Sequence, residues 1–246
     1  MTTSFDKCGT LEQFIIWYHK ICEVTESPPK DHRIVAKKMY QQSLPFLKLL
    51  PIQQIECVLD VGAGYGFHST WFTEHGKKTT GLSLQPTKEQ ISDARKRGYK
   101  LLDVDMHFTG FVDESFDLIW SHHSLEHSFS PMLALREWHR ILKCCKYLAI
   151  TVPAHVRRVS SGHFSMGWGL GQLIYILGLT GYDITHGIYR KDGSNIRALV
   201  QKSEDKVDYR GLSWLCNLRK YLPPIAQVRE TPRSIGRYFY IIESDK

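Results

Sequence analysis

The chain has 246 residues, 42% of them hydrophobic and 23% charged, and carries no repeat or low-complexity tract. It is long enough to bury a core without disulfide or metal staples, and its composition excludes the fibrous and disordered classes. Its formal charge of +7 is uneven: residues 1–154 hold 18 Lys/Arg against 17 Asp/Glu, and residues 155–246 hold 14 against 8, a basic last third that suits an acidic partner such as a nucleotide sugar, a phosphorylated glycan or RNA, or serves solubility alone.

In chain order, apolar residues at Leu11, Phe14, Ile15, Tyr18 and Cys22 share one face of a helix over residues 11–24. Asp31 caps a second helix running to about Leu50, with Pro45 kinking or ending it. Strand and helix then alternate: strand 57–61, helix 67–75 with Gly76 at its end, strand 79–84, helix 87–97, strand 100–104, strand 116–121, helix 131–142 and strand 147–152. Such alternation requires crossover connections and therefore a largely parallel sheet covered on both faces. Residues 154–169 read as a loop and residues 170–179 as a helix. Residues 182–189 and 195–201 read as a hairpin around Lys191-Asp192-Gly193-Ser194, which adds an antiparallel strand. Residues 238–242 compete with 195–201 for the last sheet position. The apolar stretch 170–179 is too short to span a bilayer, and the first nine residues lack a leader's apolar segment, so a cytoplasmic protein is expected. Six cysteines show neither Cys-x-x-Cys nor zinc-finger spacing, and adjacent Cys144 and Cys145 are badly placed for a mutual disulfide, so reduced thiols are expected.

The strongest local signal is Val58-Leu59-Asp60-Val61-Gly62-Ala63-Gly64-Tyr65-Gly66, an apolar strand running into a glycine turn that opens a helix. Gly62 permits the sharp turn, and Gly64 and Gly66 admit a ligand close to the backbone. A dinucleotide fingerprint places its third glycine where Phe67 stands, so the spacing argues against NAD or FAD.

Further motifs follow in order: Thr80-Gly81-Leu82-Ser83-Leu84, Asp105-Met106, residues 113–119, Ser124-Leu125-Glu126-His127, and Ala134-Leu135-Arg136-Glu137 with Arg140-Ile141-Leu142-Lys143. Together with the glycine turn they resemble the class I S-adenosylmethionine-dependent methyltransferases, of the methyltransferase type 11 kind, over residues 56–154. The resemblance implies a Rossmann-like α/β fold: a seven-stranded, mostly parallel sheet with helices on both faces and an antiparallel strand near the C-terminus. It implies S-adenosyl-L-methionine as cofactor, held by Asp60, Gly62, Ala63, Gly64, Tyr65 and Gly66 around its methionine part. Ser83, Leu84 and Gln85 then lie at the ribose. Asp105 accepts a hydrogen bond from the adenine amine, Met106 packs on the ring, and Ser121 and His122 lie near the methionine amine. The family's acidic residue at the end of the second strand is replaced here by Ser83, which forgoes a charged bidentate pair at a cost of about 1–3 kcal/mol. Cys144-Cys145-Lys146 replaces a Pro-Gly-Gly turn.

An oxygen nucleophile benefits from a base near neutral pKa, and histidine fits. His127 is the first candidate, followed by His155 and His163; the alternative for His127 is a hydrogen bond within its own loop. His123 and His127 share a face only if their segment is helical, and no carboxylate triad completes a ligand set, so no metal is expected. Trp168 and Phe164 either contact substrate or fill the core, with substrate contact favoured.

The expected organisation is a helical cover over residues 1–50, the S-adenosylmethionine-binding domain over 51–202 with a substrate lid at about 154–180, and an extension over 203–246. The expected activity is O-methylation of a sugar or other small molecule, with a small-molecule or glycan acceptor and no membrane span. The alternatives are an RNA methyltransferase, prompted by the basic last third, and an inactive binding protein on the same fold.

Overall fold

A computed structural model describes residues 13, 16, 32–154, 163, 164 and 167–203. The helix expected over 11–24, the strand expected over 238–242 and the extension beyond Ser203 lie outside the described residues, Gln13 and Ile16 apart. The elements are α1 (His32–Leu47), β1 (Cys57–Val61), α2 (Phe67–Glu74), β2 (Lys78–Ser83), α3 (Lys88–Lys96), β3 (Lys100–Asp103), β4 (Phe116–His122), α4 (Pro131–Ile141), β5 (Leu142–Pro153), α5 (Leu170–Leu179), β6 (Tyr182–Asp192) and β7 (Asn195–Lys202). A one-turn 3-10 helix, Leu125–His127, follows β4.

The seven strands form one sheet in the order β3-β2-β1-β4-β5-β7-β6. The first five are parallel, and β7 pairs antiparallel with both β5 and β6. The Rossmann-like fold expected from the sequence is therefore the observed one. Every residue of β4 is buried, as a strand covered on both faces requires. The order reverses between β1 and β4, and a crevice forms outside the carboxyl ends of strands at such a point.

Two apolar layers hold the sheet. On one face Leu135 and Trp138 of α4 and Leu173 and Leu177 of α5 pack with Leu59, Ile119, Leu148 and Tyr182. On the other, Phe46 and Leu47 of α1 and Phe72 of α2 pack with Val58, Leu118 and Trp120. Pro45 lies inside α1 without ending it. Thr87 and Gln90 form a reciprocal capping box that starts α3, satisfying two otherwise unpaired backbone donors.

Three expectations change. Strand β5 begins at Leu142, five residues earlier than its apolar run, because Phe116 pairs with Leu142 and Leu118 with Tyr147. The intervening residues bulge out of the ladder, with Cys145 in the left-handed region at φ 58°. Cys144 and Cys145 thus sit in a bulge, both exposed, with their sulfurs 3.6 Å apart. Residues 170–179, placed within a lid, form a core helix whose Leu173 and Leu177 are fully buried. Trp168, favoured as a substrate contact, is 4% exposed and belongs to the same core, with its residue bridged to Ala154. Phe164 stays exposed at 42%. No helix among the described residues is long and apolar enough to cross a membrane.

Candidate active site

Strand β1 delivers the chain to the crevice, and the glycines turn it there. Gly62, Gly64 and Gly66 have φ of 77°, 53° and 70°, in the left-handed region where a Cβ is strained. A Cβ on Gly62 would stand 2.0 Å from Ser124 Oγ, and one on Gly66 1.8 Å from the Tyr99 hydroxyl. At Gly64 a Cβ would meet nothing nearer than 3.9 Å, so that glycine borders open space. Ser124 fixes the turn by donating from Oγ to the Val61 carbonyl at 2.8 Å. Beneath it, Asp60 is fully buried and accepts from Ser69 Oγ at 2.6 Å. Burial pushes its carboxyl up to about 6, and the Ser69 hydrogen bonds oppose the rise.

Two adjoining cavities open here. The first, about 230 Å³, is lined by Gly62 and Gly64, by Leu82, Ser83 and Leu84 at the end of β2, and by Val104 and Met106 after β3. Trp138 Nε1 donates to the Met106 carbonyl at 3.0 Å, so α4 fixes that wall. Apolar walls, a serine hydroxyl at one end and an exposed glycine backbone fit a flat nucleoside carrying a polar tail.

The second cavity, about 400 Å³, runs from the glycine loop to Ala36 and Met39 of α1, His68 of α2, and His122, His123, Glu126, His127 and His163. Gly62, Gly64, His123 and His127 line both. His68 lines this cavity with its Nε2 2.8 Å from Ser43 Oγ, while Tyr40, Trp120 and His122 pack round its ring. That desolvation, with the charge of His123, pushes His68 down to about 3. Burial likewise holds His122 well below its ordinary value, with repulsion from His68, His123 and Arg197 added. Both imidazoles are therefore neutral at neutral pH. His122 Nε2 is buried without a hydrogen-bond partner among the described residues.

His123 has φ 54°, a strained conformation for a side-chain-bearing residue. Its Nδ1 lies 3.0 Å from Glu126 Oε1 and its Nε2 2.9 Å from Asn195 Oδ1 at the start of β7. The hairpin thus braces the cavity wall. Glu126 is fully buried, and its Oε2 has no hydrogen-bond partner among the described residues. His127 is exposed, and its ring meets that of His163 edge-on at 4.9 Å between centroids.

Of the residues expected from the sequence, Gly62, Ala63, Gly64, Tyr65, Ser83, Leu84, Met106, His122, His127 and His163 line one or both cavities. Asp60 and Gly66 shape the loop from beneath. Ser121 is buried in β4 and lines neither cavity. Asp105 Oδ1 is taken by His107, through its backbone N–H at 2.7 Å and its ring Nδ1 at 2.5 Å. Gln85 stands at φ 49° with its N–H held by Asp103 Oδ1 at 2.8 Å, so Asp103, not named from the sequence, shapes the loop after β2. His155 lies outside the described residues. His68 and Glu126 were missed as lining groups, and His123 was weighed from the sequence only as a possible metal partner of His127. Their one signal was position: His68 follows the last glycine by two residues, and Glu126 precedes His127 in the same turn.

The description "Methyltransferase domain" fits the family model that matches residues 59–150. A malonyl-[acyl-carrier protein] O-methyltransferase of Herminiimonas arsenicoxydans is 28% identical over 125 residues, 51% of this chain and 48% of that protein. The chloroplastic 2-methyl-6-phytyl-1,4-hydroquinone methyltransferase 1 of rice is 26% identical over 117 residues, 46% of this chain and 36% of that protein. The chain thus spans about half the length, or less, of these curated relatives. A solved Burkholderia thailandensis 1,6-didemethyltoxoflavin-N1-methyltransferase with bound S-adenosylhomocysteine shares the fold, at a TM-score of 0.57 and 16% identity over 78% of this chain and 87% of that one. Motif order, sheet topology and glycine-loop crevice agree with these matches: residues 59–150 form a methyltransferase domain of the class I S-adenosylmethionine-dependent kind.

Proposed function

We propose that the protein transfers a methyl group from S-adenosylmethionine to an oxygen of a small, hydroxylated acceptor seated in the histidine-lined cavity. The observation that carries this reading is the junction of the two cavities at Gly62, Gly64, His123 and His127. In the first cavity the glycine backbone would hold the methionine part, Ser83 the ribose, and Leu84, Val104 and Met106 the base. Bound there, the cofactor supplies a sulfonium-activated methyl group, whose transfer forms a C–O bond as the C–S bond breaks and leaves the electron pair on sulfur.

The chain's own residues do the rest. The glycine loop fixes donor orientation, and alignment is the main contribution an enzyme makes to such a displacement. His68 and His122, neutral by desolvation, add no charge to the cavity wall, and Ser43 Oγ lies 2.8 Å from the Nε2 of His68. Among the described residues no lysine or arginine lines the second cavity, which favours a neutral acceptor such as a sugar over an anionic one. His127 and His163 stand at the mouth, where the acceptor hydroxyl must give up its proton.

Incubation with methyl-labelled S-adenosylmethionine and a panel of sugars and hydroxylated small molecules tests this. The expected product is an O-methyl ether, and His127→Ala lowers its rate by about 10²-fold or more. Turnover that places the label on nitrogen or carbon, or a His127→Ala variant with unchanged rate, contradicts the reading.

A further inference from the structure

We infer that Glu126, His127 and His163 form a binding site for one divalent transition-metal ion, of the zinc class, at the mouth of the acceptor cavity. The inference rests on the proposed acceptor site and gives its proton-handling histidines a specific chemistry. One carboxylate oxygen of Glu126 and one ring nitrogen from each histidine lie within 4.8 Å of one another. Two imidazoles and a carboxylate are a ligand set for zinc that leaves a coordination position for water or substrate.

A second observation points to the same ion. Glu126 is fully buried, and its Oε2 has no hydrogen-bond partner among the described residues. A buried carboxylate oxygen left unpaired is costly unless a cation or donor meets it. His123 pairs with the other oxygen at 3.0 Å, the arrangement that orients a carboxylate toward an ion. The Phe164 backbone N–H donates to the Glu126 carbonyl at 2.9 Å, tying the segment that carries His163 to the turn that carries the other two ligands.

The sequence spacing suggested only His123 with His127. In the structure a 3-10 turn, rather than an α-helix, follows β4, and the chain after β5 returns His163 to it. An ion held here lies beside the residues shared by both cavities, where it would bind an acceptor hydroxyl and lower its pKa.

The test is a titration of chelator-stripped full-length protein with Co²⁺, followed by its visible d–d absorption and by competition with Zn²⁺, alongside calorimetry with S-adenosylhomocysteine. The expected result is one bound equivalent of Co²⁺, displaced by Zn²⁺. His127→Asn and His163→Asn should each weaken it about 10–100-fold or more, on the scale seen when a supporting group is lost. His163→Asn, at a partly exposed loop position, keeps the test usable where Glu126→Gln fails to fold. No Co²⁺ binding by a protein that still takes up S-adenosylhomocysteine overturns the metal site and leaves the methyltransferase reading standing. Undiminished affinity in both histidine variants also overturns it. Loss of S-adenosylhomocysteine binding with intact metal binding strikes the methyltransferase reading instead and supports the site.

Discussion

At Gly62 a methyl group has nowhere to go, because Ser124 Oγ would lie 2.0 Å from it and the backbone sits at φ 77°. Gly76 has nearly the same φ, 75°, with nothing within 4 Å of a would-be Cβ. Gly76→Ala should therefore cost about 1 kcal/mol of backbone strain, and Gly62→Ala about 1–3 kcal/mol more, read from urea unfolding. Equal losses would refute the claim that the loop is packed onto Ser124. Asp60 makes a pH prediction for the ligand-free protein. Its folded pKa is raised from 3.8 to about 6 by burial, so the stability tied to its neutral form is present below about pH 4 and lost as pH rises through about 6. Asp60→Asn removes that loss, and its stability relative to the native chain should climb between pH 4 and 7, by up to about 3 kcal/mol. A pH-independent difference would contradict the assignment. The glycines were legible because a strand running into alternate glycines has few other meanings. The cavity histidines were less so: whether His68, His123 and His127 converge depends on turn geometry and on strained backbone at His123, which spacing does not encode.

Among the elements, α5 separates two readings of the segment after β5. A lid would tolerate truncation of its apolar residues, whereas Leu173 and Leu177 are fully buried against the sheet. Leu173→Ala should cost about 2–5 kcal/mol in urea unfolding; a change within about 0.5 kcal/mol would return the helix to the surface. The sequence had located α5 at its observed bounds but not its burial, since a short apolar run looks alike in a core and in a cover. The parallel strands were legible because their apolar runs are continuous. The start of β5 was not, because residues 143–146 bulge out of the ladder and carry no apolar signal. The hairpin was read from its Asp192-Gly193 turn, but its further role, bracing His123 through Asn195, is a tertiary fact.

For the whole molecule, the sheet order explains why the site lies where it does: reversal between β1 and β4 opens the crevice, and the glycine loop and the turn after β4 face each other across it. The uneven charge lies mainly outside the described residues, and the site itself is built from histidines, one buried glutamate and apolar walls. The proposed methyl transfer requires that the first cavity accept the adenosyl group. Calorimetric titration of the purified protein with S-adenosylhomocysteine tests this directly, with Met106→Glu as the partner variant because its carboxylate would stand among Leu82, Leu84 and Val104. Saturable one-to-one binding by the native chain and at least a tenfold loss in the variant are the expected results. Absence of binding, or equal binding by both proteins, would contradict the proposed transfer.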